Sequence, residues 1–204
     1  MPKKYRNNFP FKSFEDYPLL NQKNQLLFLT RLWAPYDKKG NFNAQIDQIN
    51  KKRIKYIQLC RKEFGKYFIG GLSDTTISRQ EARELILEKE YTSRYHFIKS
   101  VKNSNICIST TGLHHSMGWK FSEYIAASRA ISSEPLHYLL PGDFGEKNYI
   151  EFTSEDKLIN GIIDLIRNKE KMISIMHNNY IYYNNYVRPD NLVLNSILEV
   201  FKYI

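Results

Sequence analysis

Five short apolar runs, at residues 25–30, 67–69, 106–110, 130–132 and 149–152, are set apart by stretches with helical spacing. Short uninterrupted apolar runs of this kind read as strands buried on both faces. Between the first two, residues 43–64 place Ile46, Ile49, Ile57, Cys60 and Phe64 on one helical side, and Gly65 closes the helix. Thr92 or Ser93 caps a further helix over 93–103, with Ile98 and Val101 inward. Residues 119–128 form the next helix, and three more follow at 154–168, 169–185 and 189–203. Residues 80–90 stay ambiguous between a strand and a helical turn. Strands alternating with helices call for βαβ units and a parallel sheet. The expected class is α/β: a Rossmann-like, doubly wound, mostly parallel sheet with helices on both faces and a helical carboxyl-terminal tail. Ligands of such sheets bind beyond the strands' carboxyl ends, here the loops after Thr30, Ile69, Thr110 and Ser132.

The chain's 204 residues suffice for one such domain, assigned to 25–204. Residues 1–24 are polar, aromatic and aperiodic, with Pro10 and Pro18, and read as a linker or arm. No apolar run approaches the roughly 20 residues that span a bilayer, and no apolar segment follows the basic start, so a cytoplasmic protein is expected. Cys60 and Cys107 fall on a helix and a buried strand and read as reduced core thiols. A net charge of +9 suits a phosphorylated small molecule, nucleic acid or an anionic membrane surface. Much of it lies at Lys3, Lys4, Arg6 and Lys12, and at Lys51, Lys52, Arg53, Lys55, Arg61 and Lys62, which read mostly as a solvated helix face. No nucleic-acid-binding motif accompanies it. The tyrosines and asparagines of 178–186 read as helix packing.

Chemistry concentrates between Thr110 and Ile131. A buried strand delivers a loop with Gly112 and Gly118, and the loop opens a helix. Glycines let a ligand approach the backbone, and free helix N–H groups favour a phosphate. Lys120, in the first turn, reaches toward such a phosphate. Glu123, one turn on, can accept both hydroxyls of a ribose.

The run Gly118-Trp119-Lys120-Phe121-Ser122-Glu123-Tyr124-Ile125-Ala126-Ala127-Ser128-Arg129-Ala130-Ile131 resembles the Lys-x-x-Glu-Tyr-x-Ala-Ala-x-x-x-x-Ile block of GT-B glycosyltransferases. Thr30-Arg31-Leu32-Trp33 is similar to their Gly-Arg-Leu motif, and Ile69-Gly70-Gly71-Leu72 to the second strand's turn toward the nucleobase. The tail with Met176, Asn178, Asn179, Tyr183 and Arg188-Pro189-Asp190 is similar to the closing helices of bacterial surface-polysaccharide enzymes. The resemblance covers residues 25–204. It implies the carboxyl-terminal half of such an enzyme, binding a UDP- or GDP-linked sugar through Arg31, Gly112, Gly118, Lys120 and Glu123. It further implies surface-polysaccharide or glycolipid synthesis, with possible peripheral contact to an anionic membrane and no nucleic-acid partner. A non-catalytic nucleotide-binding or regulatory module is the alternative.

Two departures accompany it. Retaining members place a second glutamate eight positions before the ribose-binding one, and here that position is His115. The acceptor-binding half has no counterpart in the sequence, so a missing amino-terminal domain or partner subunit is implied. His114 and His115 are the candidates for contact with the leaving diphosphate or the sugar. His96, His137 and His177 read as structural or exposed, Arg129 as a surface or helix-terminal residue, and Glu134 as an outside candidate. No Asp-x-Asp occurs, which favours a metal-free donor site without a cofactor.

Overall fold

Alternate residues of a strand point to opposite faces, so a strand covered on both sides must be apolar throughout. The computed structural model describes residues 9–21, 25–35, 42–88 and 90–202, and its strands obey this rule. β1 (Leu26–Thr30) is buried along its whole length. Leu26 and Phe28 enter one apolar cluster, with Tyr56, Ile57, Cys60, Leu158 and Ile162. Leu27 and Leu29 enter the other, with Phe97, Val101, Phe121, Tyr124 and Ile125. The two clusters are the two helical layers.

The first layer contains α1 (Phe42–Phe64) and α5 (Glu155–Arg167). The second contains α3 (Arg94–Asn103) and α4 (Trp119–Ala126). β2 (Phe68–Leu72), β3 (Ile106–Ser109), β4 (Ala130–Ser133) and the short β5 (Ile150–Glu151) complete a sheet in the order β2-β1-β3-β4-β5. Every pairing is parallel. α6 (Lys169–Tyr182) runs from the first cluster, through Met172 and Met176, to the second, through Tyr182. A π-helical stretch over Tyr183–Val187 then leads to α7 (Pro189–Phe201). The fold class expected from the sequence is therefore present, helical tail included. No helix among the described residues is long and apolar enough to cross a membrane.

The chain order reverses beside β1, since β2 lies on one side of it and β3 on the other. That switch point splays two loops apart and leaves a crevice beyond Thr30 and Ser109. The ambiguous stretch 80–90 resolves into the end of α2 (Thr76–Glu81), a 3-10 turn at Arg83–Leu85 and a single parallel bridge from Ile86 to Leu72.

Two sequence expectations need correction. Arg129 is not a surface residue: it is 1% exposed. It follows α4, and its guanidinium donates to the carbonyls of Ala127, Lys102, Ser104, Tyr17 and Leu19, with Asp16 3.4 Å away. A buried arginine persists only where carbonyls and a carboxylate replace its water. Those partners include residues 16–19, so this part of the arm packs on the domain, with Phe14 in the second cluster. Residues 1–8 and 22–24 of the arm, including Lys3, Lys4 and Arg6, lie outside the described residues. The second correction is Arg53. It is buried, while Lys51, Lys52, Lys55 and Lys62 of the same helix are exposed as expected.

Candidate functional site

The crevice at the switch point forms a cavity of about 430 Å³. Its floor is the end of β1 and β3, through Leu29, Thr30, Ser109 and Thr110. α4 begins at its wall. Gly118 caps that helix in an extended conformation, and no side chain satisfies the first amides. A Cβ added at Gly118 would meet no atom within 4 Å. The glycine is therefore not required by packing, and its bare backbone faces open space. Gly112 differs: a Cβ there would come within 3.0 Å of both Ser116 Oγ and the Trp33 ring.

Four cations line the cavity: Arg31, Arg53, Arg94 and Lys120. Arg53 reaches it from α1, donating from Nη1 to the Arg31 carbonyl at 2.8 Å and from Nε to Thr110 Oγ1 at 3.4 Å. Its guanidinium lies 4.8 Å over the Trp33 ring, and burial pushes it down to about 10, against the pull of Glu134. Asn50, one turn before Arg53, binds both the N–H and the C=O of Trp33 and fixes the loop that carries Arg31. Lys120 donates to the Leu29 carbonyl. Its burial, followed by the charge of Arg53, pushes it down to about 7.

The carboxylate of this cavity is Glu123. Oε1 accepts from Arg94 Nη2 at 2.6 Å, and the Arg94 guanidinium is itself held 4.5 Å over the Phe14 ring. Oε2 is buried and has no hydrogen-bond partner among the described residues. A buried carboxylate oxygen left without a donor is costly unless something supplies one. An apolar groove continues past Glu123 along Trp119, Met117, Phe14 and Val187, and Trp119 is 89% exposed.

The structure thus gathers Arg31, Gly118, Lys120 and Glu123 in one cavity. Gly112 and His115 line a smaller one, of about 140 Å³, with Gln45, Lys52 and Glu134, and Thr110 is the wall between the two. His114 and His115 both adopt left-handed backbone, at φ 55° and 57°. This conformation disfavours residues with a side chain, and here Gln45 and Tyr138 bind the His114 N–H and carbonyl to hold it. The His114 ring meets Phe42 edge-on, and the His115 ring lies 4.3 Å from that of His137. Glu134 is buried and accepts from Lys52, Tyr56, the Thr111 amide and the Thr111 hydroxyl. It ties α1 to the loop after β3.

Arg53 and Arg94 escaped the sequence reading. The signal for Arg53 was present: it stands four residues after Ile49 and four before Ile57, inside the apolar stripe of α1. A charge in that stripe is a charge sent inward. Arg94 carries no comparable mark, because its partner Glu123 is 29 residues away.

No protein-family model matches the sequence, and no match to a curated protein was found. Solved structures match it in fold. The carboxyl-terminal domain of LpcC, a glycosyl transferase group 1 family protein from Francisella tularensis, superposes with a TM-score of 0.58 at 12% identity, covering 87% of this chain and 97% of that domain. TarM superposes with a TM-score of 0.55 at 15% identity over 92% of this chain. The chain spans 37% of the length of the TarM chain. Identities this low describe a shared fold, that of the carboxyl-terminal, Rossmann-like domain of GT-B glycosyltransferases.

Proposed function

We propose that this chain is the donor-binding half of a glycosyltransferase that takes a nucleotide diphosphate sugar and passes the sugar to a hydroxyl acceptor. The observation that carries this reading is the buried Oε2 of Glu123, without a hydrogen-bond partner among the described residues, on a side chain that lines a cavity ringed by Arg31, Arg53 and Lys120. A ribose supplies the missing donor through its hydroxyls. The diphosphate then lies back along α4 toward Gly118, where the uncapped amides, Lys120 and the two arginines meet its charge. Transfer breaks the bond between the sugar's anomeric carbon and the diphosphate oxygen while the acceptor oxygen bonds to that carbon. Negative charge grows on the departing oxygen, and fixed donors already aimed at it lower the barrier. His115, beyond Thr110 in the smaller cavity, stands at the sugar end of this path.

The acceptor wall and the base that takes the acceptor's proton belong to an amino-terminal domain or partner subunit. The sequence resemblance supports surface-polysaccharide or glycolipid assembly as the setting. The charge of +9 suits contact with an anionic membrane face.

Thermal unfolding with UDP and GDP, without added metal, tests the reading. A nucleotide at 100 times its dissociation constant should stabilise the fold by about 2.7 kcal/mol. Stabilisation by oligonucleotides and by no nucleotide would instead assign the positive charge to nucleic acid.

A further inference from the structure

Lys120 is surrounded by charges of its own sign. Arg53 faces it from α1, Arg31 from the loop after β1, and Arg94 from α3, all around one cavity. Among the described residues the one carboxylate facing it is Glu123 of its own helix, and Glu123 Oε1 is already held by Arg94 at 2.6 Å. Glu134 acts on Arg53 from the end of β4, across Thr110, where its oxygens are taken by Lys52, Tyr56 and Thr111. Among the described residues Lys120 has no salt bridge. Its nitrogen donates to the Leu29 carbonyl and lies 5.6 Å over the Phe97 ring; a neutral amine still makes that hydrogen bond, more weakly than an ammonium does, so these contacts offset only part of the crowding.

We propose that Lys120 is a neutral amine in the ligand-free site and takes up a proton when the donor's diphosphate arrives. This deepens the donor-site reading above and rests on it. Arginine keeps its proton under all ordinary conditions, so of the four cations only Lys120 can relieve the crowding by losing one. Burial and the arginines bring the ammonium down to about 7. A diphosphate brings negative charges into the same space and reverses the balance. The event is one proton from solvent, one lysine amine and one nucleotide sugar combining into a bound ammonium–diphosphate pair. The lysine then serves as a specificity residue, because above neutral pH its full charge is restored by ligands that carry phosphate.

The sign follows directly. Well below the free-site value Lys120 is already charged, and binding takes up nothing. Above it, each binding event must draw a proton, so affinity weakens by about tenfold between pH 6 and 8. Titration calorimetry with UDP-glucose and GDP-mannose, in buffers of low and high ionisation enthalpy, reads this proton count. Uptake should approach about one proton near pH 8 and vanish near pH 6. Lys120→Arg, charged throughout, should bind without uptake and flatten the pH slope. Binding with no proton exchange near pH 8 overturns the proposal and leaves the donor site standing. Failure of both nucleotide sugars to bind overturns the two together. Competitive acetylation of the ligand-free protein adds a measurement independent of any ligand: a Lys120 amine that titrates like an ordinary lysine, near 10.4, sinks the idea.

Discussion

On the proposed reading Glu123 and Gly118 ask for opposite experiments, because one side chain would be present for a ligand and the other missing for one. Removing the carboxylate in Glu123→Ala should cost about 1.5–3 kcal/mol of nucleotide affinity, the worth of hydrogen bonds to a charged acceptor. The same change should barely alter binding of a dideoxy analogue, which lacks the ribose hydroxyls. Glu123 also pairs with Arg94, so Glu123→Gln, which keeps size and one acceptor, separates a lost ligand contact from a disturbed fold. If both variants lose urea stability and neither discriminates the analogues, Glu123 is structural. Gly118→Val probes the reverse. The glycine's φ of −75° suits any residue, and a Cβ there meets nothing. The variant should lose only about 1 kcal/mol of stability, the difference between glycine and a poor N-cap residue, yet lose binding of UDP and GDP if its methyls stand where the diphosphate approaches. Unchanged affinity in Gly118→Val would move the diphosphate away from α4.

The elements were legible wherever periodicity was long. The 23 residues of α1 and the five of β1 fall within a residue or two of the expected limits, because burial of a stripe or of a whole strand leaves a repeated mark. The stretch 80–90 was not legible, since one bridge between Ile86 and Leu72 creates no repeat for a pattern to show. Glu123 and Lys120 could be read because strand, glycine loop and helix are contiguous. Arg53 left a mark in the apolar stripe of α1 that shows it turned inward but not what it meets, and Arg94 left none, since its contact with Glu123 spans 29 residues. Arg129 shows the same limit. Read as the end of a helix, it is in fact the bolt between α4 and the arm, binding the carbonyls of Tyr17 and Leu19. Arg129→Met should therefore destabilise the protein by about 3 kcal/mol or more, leaving Asp16 and several carbonyls without a partner. Urea unfolding gives the magnitude, and hydrogen exchange should show residues 9–21 losing protection first. Lys62→Ala, on the exposed side of α1, serves as the control and should shift stability by less than about 0.5 kcal/mol. An Arg129→Met protein as stable as that control would mean the arm is held by Phe14 and its apolar neighbours instead.

At the scale of the whole molecule, the cavity opens beyond the carboxyl ends of β1 and β3, and in-line attack on a sugar needs a second surface to hold the acceptor and exclude water. The described residues provide one wall. α7 is consistent with a face made to be covered. It turns Asn191 and Asn195 toward its own domain, where they bind the carbonyls of Asn184 and Asn185. Leu192, Val193, Leu194, Ile197, Leu198, Val200 and Phe201 stay exposed. An amphipathic helix in a finished assembly presents the reverse arrangement. On the proposed reading, the 204-residue chain should bind donor and transfer no sugar, and its uncovered apolar face should promote association. Light scattering should find particles larger than one 24.2 kDa chain, and charge placed on α7, as in Leu194→Glu with Ile197→Glu, should return the monomer. The paired change should leave nucleotide binding intact, since α7 beyond Pro189 lines neither the cavity nor the groove beside it. Radiolabelled donor offered with lipid and glycan acceptors should give no product from either preparation until the missing half is supplied. Steady turnover by the monomeric variant would show that one wall is enough, and the account of a divided active site would have to be abandoned.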